Sequence, residues 1–169
     1  STILALQQII VTTQKAPTQI ISSGVTVVYS NAGNLIVTLK DANGNPIDNA
    51  KLSVTLNGKA TVLTTDGNGQ AKLAVPTNLV PKNYPVTITY AGDDTHVKST
   101  ASTKVIVKKA SVKLTAKKKT FKAKVKTKKY TVILKNNKGK AMKKVKLTLK
   151  IKNKTYKATT NSKGKATFK

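Results

Sequence analysis

The chain has 169 residues and a formal charge of +27, and all 32 basic residues are Lys, set against five Asp and no Glu. The absence of Cys and the single His exclude disulfides, thiol chemistry and Cys- or His-rich metal sites. The charge is unevenly divided: residues 1–109 hold 10 Lys and all five Asp, whereas residues 110–169 hold 22 Lys and no acid.

In chain order, the first apolar run is Ile3 to Val11, interrupted by Gln7 and Gln8. It falls well short of the roughly 20 residues a membrane helix needs, so no membrane insertion is expected in this segment. Period-two alternation then predicts strands at Val25–Tyr29, Leu35–Lys40, Leu52–Leu56, Thr61–Thr65, Gln70–Val75, Val86–Tyr90 and Thr103–Val107. Turn signals separate them at Asn43-Gly44, Asn57-Gly58, Asp66-Gly67 and Asn68-Gly69.

The basic half keeps the same rule. Phe121, Ala123 and Val125 alternate with Lys122, Lys124 and Lys126; Tyr130, Val132 and Leu134 follow. Val145, Leu147, Leu149 and Ile151 alternate with Lys144, Lys146, Lys150 and Lys152. Tyr156 and Ala158, then Ala166 and Phe168, continue the pattern. Successive side chains of a strand point to opposite faces, so these runs read as strands with an apolar inner and a Lys-coated outer face. A disordered basic tail has no reason to hold that register. Regular short strands with turns between them predict an all-β chain of antiparallel sandwiches.

A repeat organises the chain. Residues 35–74 align without a gap on 130–169, with 11 identities in 40 pairs, among them Val37/Val132, Leu39/Leu134, Gly44/Gly139, Thr65/Thr160 and Gly69/Gly164. Ser1–Thr13 aligns with Val97–Lys109, placing Ile9-Ile10-Val11 on Val105-Ile106-Val107. The expected organisation is therefore an N-terminal strand in 1–14, one domain in 15–109 and a second in 110–169 that lacks its last two strands. The 1–14 segment reads either as the tail of a preceding repeat in a longer array or as a strand donated to another subunit.

The runs LIVTLKDANGNPIDNAKLSVTLNGKATVLTTDGNGQAKL and YTVILKNNKGKAMKKVKLTLKIKNKTYKATTNSKGKATFK resemble immunoglobulin-like repeats of bacterial-type surface proteins. The second is similar to repeats of the adhesin-like surface proteins of methanogenic archaea, which share LK-x-x-x-G-x-x, a strand, then TT-x-x-x-G-x-A. The resemblance implies tandem immunoglobulin-like sandwiches in an extracellular stalk or display segment at the cell surface. It supplies no catalytic residue, and no cofactor is implied. Neighbouring repeats or identical subunits are the implied partners.

Candidate chemistry is sparse. Asp93-Asp94-Thr95-His96 is the only acid-rich cluster and holds the only His. A metal or general-base role would need further converging ligands, and a polar hairpin turn is the simpler reading. The pairs Thr64-Thr65 and Thr159-Thr160 read as strand residues before a turn rather than as nucleophiles. Asn153-Lys154-Thr155 is the one glycosylation sequon, at an expected turn. The Lys coat, represented by Lys122, Lys124, Lys126, Lys144, Lys146, Lys150 and Lys152, is a solvated face with attraction for a polyanionic surface or glycan. No specific nucleic-acid partner is expected, because Arg is absent and the aromatics fall on the inner face.

Overall fold

The computed structural model describes residues 12–169. The strand expected at Ile9–Val11 lies outside the described residues. The described chain forms two compact units, one ending at Lys108 and one running from Lys109 to Lys169.

The first unit holds eight strands: β1 (Thr18–Ile21), β2 (Val25–Val28), β3 (Asn34–Asp41), β4 (Lys51–Leu56), β5 (Lys59–Thr64), β6 (Gln70–Ala74), β7 (Asn83–Tyr90) and β8 (Ser99–Lys108). They build a three-stranded sheet in the order β1-β3-β6 and a five-stranded sheet in the order β2-β8-β7-β4-β5. Every pairing is antiparallel except β2 with β8, which run parallel with Val25 beside Val105 and Val27 beside Val107. The alternation in the sequence becomes the core. On β3, Leu35, Val37 and Leu39 are fully buried, and on β4 and β7 so are Leu52, Val54 and Ile88. The other face carries mostly polar residues, with Ile36 on β3 and Val62 on β5 exposed among them, as a two-layer sandwich allows.

The second unit repeats part of this frame with five strands: β9 (Val112–Ala116), β10 (Tyr130–Asn136), β11 (Lys146–Ile151), β12 (Lys154–Thr159) and β13 (Lys165–Phe168). The order β13-β10-β9 reproduces β6-β3-β1, and the ribbon β11-β12 reproduces β4-β5. Val132, Leu134, Ala166 and Phe168 are buried, with Tyr130, Leu147, Leu149, Tyr156 and Ala158 half-buried against the cluster.

Two short strands escaped the sequence reading, β1 and β9. Both pair along one strand only, β3 and β10 respectively; β1 carries no alternating run, and β9 alternates over Val112–Ala116.

One expected strand does not form. Phe121 to Lys126 keeps perfect alternation, yet the stretch 117–129 has no strand. Its place in the order is that of β2, and in the first unit β2 is held entirely by parallel pairing to β8. The described second unit has no counterpart of β7 or β8. A backbone without a partner cannot be a strand, whatever its alternation. The stretch is instead held locally: Lys119 Nζ donates to the Lys129 carbonyl at 2.7 Å and lies 5.1 Å from the centre of the Phe121 ring.

Candidate functional site

The shared loops show how the second unit dispenses with acids. In the first unit Asp41 Oδ1 accepts the backbone N–H groups of Asn43 and Asn45, each at 2.9 Å. Asn136 Oδ1 does the same for Lys138 at 3.0 Å and Lys140 at 2.9 Å. Asp66 Oδ1 accepts from Asn68 at 2.9 Å and Gln70 at 3.0 Å, and Asn161 Oδ1 from Lys163 at 2.9 Å and Lys165 at 3.0 Å. An amide oxygen serves this turn as well as a carboxylate oxygen. Gly69 and Gly164 then take φ of +69° and +72°, and a Cβ on either would strike the carbonyl oxygen of Leu39 or Leu134. The fold thus survives the exchange of Asp41 and Asp66 for Asn136 and Asn161 while the surface charge changes completely.

The Thr pairs are structural. Thr65 is buried, and its hydroxyl accepts the N–H of Ala50 at 2.8 Å while donating to the carbonyl of Ile47 at 2.7 Å. Thr160 is equally buried and accepts the N–H of Val145 at 2.9 Å. A hydroxyl committed in this way is not a nucleophile in search of a base.

The Asp93–His96 cluster closes the hairpin between β7 and β8. Asp93 Oδ1 accepts the backbone N–H of Thr95 at 2.8 Å and of His96 at 2.7 Å. The imidazole Nδ1 lies 2.9 Å from the same carboxylate, an ion pair only when the ring is protonated. The Tyr90 hydroxyl donates to Asp93 Oδ2 at 3.1 Å. The His96 ring, these backbone N–H groups and the Tyr90 hydroxyl hold the Asp93 carboxyl well below the usual carboxylate range. Burial, followed by the neighbouring carboxylate, pushes the Tyr90 hydroxyl up to about 12. The hydrogen bond from Tyr90 had no signal in the sequence beyond its place at a strand end. Among the described residues no three His, Cys, Asp or Glu side chains converge as metal ligands.

The Lys residues singled out in the sequence fall into three settings, all exposed. Lys122, Lys124 and Lys126 lie on the irregular stretch before β10. Lys144 and Lys152 occupy turns with φ of +58° and +50°, where the first unit has Asn49 and Asn57 at +53° and +50°. Lys146 and Lys150 stand on β11. Across the ribbon, Lys146 faces Thr159, Thr148 faces Lys157 and Lys150 faces Thr155, so Lys and Thr alternate both along and across the strands. The same face of the first unit pairs Lys51 with Thr64, Ser53 with Val62 and Thr55 with Ala60. Asn153 is exposed in the two-residue turn between β11 and β12.

A concavity of the second unit lies on the apolar side of β11. Phe121, Tyr130, Leu149, Ile151, Tyr156 and Phe168 line a groove of about 530 Å³, with Lys126 and Lys128 at its rim.

No protein-family model and no curated protein matches this sequence. Solved structures do resemble it. A 1.5-MDa bacterial ice-binding adhesin is 15% identical over 91% of this chain and 53% of its own, with a TM-score of 0.42. Domains A168–A170 of titin are 12% identical over 92% and 56%, with a TM-score of 0.48. The Escherichia coli adhesin FdeC is 20% identical over 89% and 54%, with a TM-score of 0.41. The chain spans about half the length of each of these three structures.

Proposed function

We propose that this chain is a non-enzymatic structural and adhesive segment of an extracellular surface protein, of the kind built from immunoglobulin-like repeats in the adhesin-like proteins of methanogenic archaea. The observation that carries this reading is the duplicated frame. Two units keep the same loop hydrogen bonds and glycine conformations while the outer surface changes from 10 Lys and five Asp in residues 1–109 to 22 Lys and no acid in residues 110–169. A scaffold conserved beneath a freely varied surface fits a display module better than a catalyst. The described strands of the two units are joined by only three residues, Lys109 to Ser111, which suits serial repeats. Among the described residues no helix is long and apolar enough to cross a membrane. Antibodies against the chain should label intact cells of the source organism and lose their target after external protease. Labelling that appears only after permeabilisation refutes the reading.

A second reading has its own observation. The Lys–Thr checkerboard of β11 and β12 presents Lys146, Lys150 and Lys157 on one outer face, so unit two attracts a polyanion such as a wall polymer or glycan. Retention on heparin should fall steeply as salt rises, because each neutralised anion releases counterions. Replacing those three Lys with Gln should lower the salt needed for elution. Unchanged elution refutes a role for this face. Asn153, accessible in its turn, is the expected carbohydrate attachment point, detectable as a mass increment on peptides from the native protein.

A further inference from the structure

An Asn followed by Gly brings a side-chain amide next to a backbone nitrogen that no Cβ shields. The first unit holds three such pairs, Asn43-Gly44, Asn57-Gly58 and Asn68-Gly69. At the matched Asn positions the second unit has Lys138, Lys152 and Lys163. The three pairs differ in how the Gly nitrogen is held. Gly44 N–H donates to the Asp41 carbonyl at 3.0 Å, and Gly69 N–H to the Asp66 carbonyl at 2.8 Å. Both loops are tied again by the Asp side chain, which accepts from Asn43 and Asn45 in one and from Asn68 and Gln70 in the other. Gly69 is enclosed as well, its Cβ position blocked by the Leu39 carbonyl oxygen. Gly58 N–H has no partner among the described residues, and a Cβ placed on Gly58 would meet nothing within 4 Å. Gly44 shares that open space but not the unbonded nitrogen. Asn57 and Gly58 form the exposed two-residue turn between β4 and β5, at the edge of the five-stranded sheet.

We infer that Asn57 is a site of spontaneous covalent modification, in which its side-chain amide becomes a carboxylate by way of a cyclic imide. The Gly58 nitrogen gives its proton to water or hydroxide and attacks Asn57 Cγ. The Cγ–Nδ2 bond breaks and ammonia leaves. Water then opens the ring at either carbonyl, giving Asp or the isomer whose backbone runs through the side-chain carbon. The sum is one water consumed and one ammonia released, with no oxidant or reductant. At Asn43 and Asn68 the attacking nitrogen must first surrender its hydrogen bond, and the loop must also slip its Asp side chain. Around Asn57 the charge is favourable. Lys59 follows the turn, and Lys82 lines the same hollow as Asn57 and Gly58. Cations beside the peptide favour loss of its proton and then pair with the new carboxylate. The isomer also lengthens the backbone of a turn that closes the Leu56–Lys59 pair. The two units therefore age differently: the first gains a negative charge on its edge hairpin, and the second carries Lys at each matched position. This site is independent of the adhesive reading.

Peptide mapping of the full chain through a long incubation at mildly alkaline pH tests the inference. The expected result is acid and isoaspartyl forms appearing at Asn57 roughly three- to tenfold faster than at Asn43 or Asn68, the rate equivalent of one hydrogen bond. In urea strong enough to unfold the chain the three rates should converge, because the loop hydrogen bonds are gone. Asp41→Ala, which unties the Asn43 loop, should raise the Asn43 rate towards that of Asn57 and leave Asn57 as it was, with circular dichroism confirming the fold. Overturning results are Asn43 or Asn68 reacting as fast as Asn57 in the folded chain, a ranking that persists in urea, or an Asn57 that keeps its amide in the folded chain while the unfolded chain reacts.

Discussion

Replacing Thr65 with Val keeps shape and volume while deleting one oxygen. That oxygen holds the Ala50 N–H at 2.8 Å and the Ile47 carbonyl at 2.7 Å, and all three residues are buried. An isosteric methyl therefore leaves a donor and an acceptor stranded out of reach of water. Each stranded group costs about 1–3 kcal/mol, the carbonyl less because it tolerates partial satisfaction, so the loss is about 3 kcal/mol. For a domain of this size each kcal/mol moves the melting temperature by about 4–8 °C, which predicts a fall of about 12–24 °C for the first unit. Calorimetry of the full chain should show that transition moving while the transition of the second unit stays in place. Thr65→Ser keeps the oxygen, loses a methyl and should cost about 1 kcal/mol. Thr160→Val should cost less than Thr65→Val, about 1 kcal/mol, because the Val145 N–H it releases is only half-buried and water replaces the bond. A Thr65→Val variant that melts within about 2 °C of wild type would show that the corner is wet, and would refute the argument.

Lys144 holds a left-handed backbone conformation at φ +58°, where the first unit uses Asn49 at +53°. Lys144→Asn should stabilise the second unit by about 0.5–1 kcal/mol, read as a higher urea midpoint at unchanged slope. The Tyr90 hydroxyl, pushed up to about 12 by burial and by Asp93, ionises more readily in the unfolded chain, near 10. Its contribution is fully present below pH 10 and is lost as the pH rises through about 12. Tyr90→Phe should flatten that alkaline loss in the first unit. On the acid side Asp93 is held below its ordinary value. Its contribution is present above about pH 4 and lost as the pH falls below it, so Asp93→Asn should flatten the acid limb of the stability profile.

Much of the local structure was legible in the sequence, for a stated reason. Alternation at Leu35–Lys40 and at Val145–Ile151 records which face of a strand is apolar, and that is a property of neighbouring residues. The matched Gly69 and Gly164 record positive φ, again a local demand. The turn acceptors Asp41, Asp66, Asn136 and Asn161 are residue types whose side chains bind backbone N–H groups within a few positions. The candidate site was less legible. The Lys positions could be assigned to an outer face, but the checkerboard with Thr148, Thr155 and Thr159 needed the cross-strand register of β11 and β12.

The sequence by itself determined an all-β chain, one frame built twice and a step in surface charge between the copies, because alternation, turn residues and charge are all carried by nearby positions. Only the tertiary structure decided that Phe121 to Lys126 is no strand and that Ile151 and Leu114 stand exposed where Leu56 and Ile20 are buried. Val25–Val28 and Phe121–Lys126 are both β-patterned, yet only the first has β8 beside it. Whether an alternating run becomes a strand depends on a hydrogen-bonding partner from a distant part of the chain, and alternation carries no record of that partner.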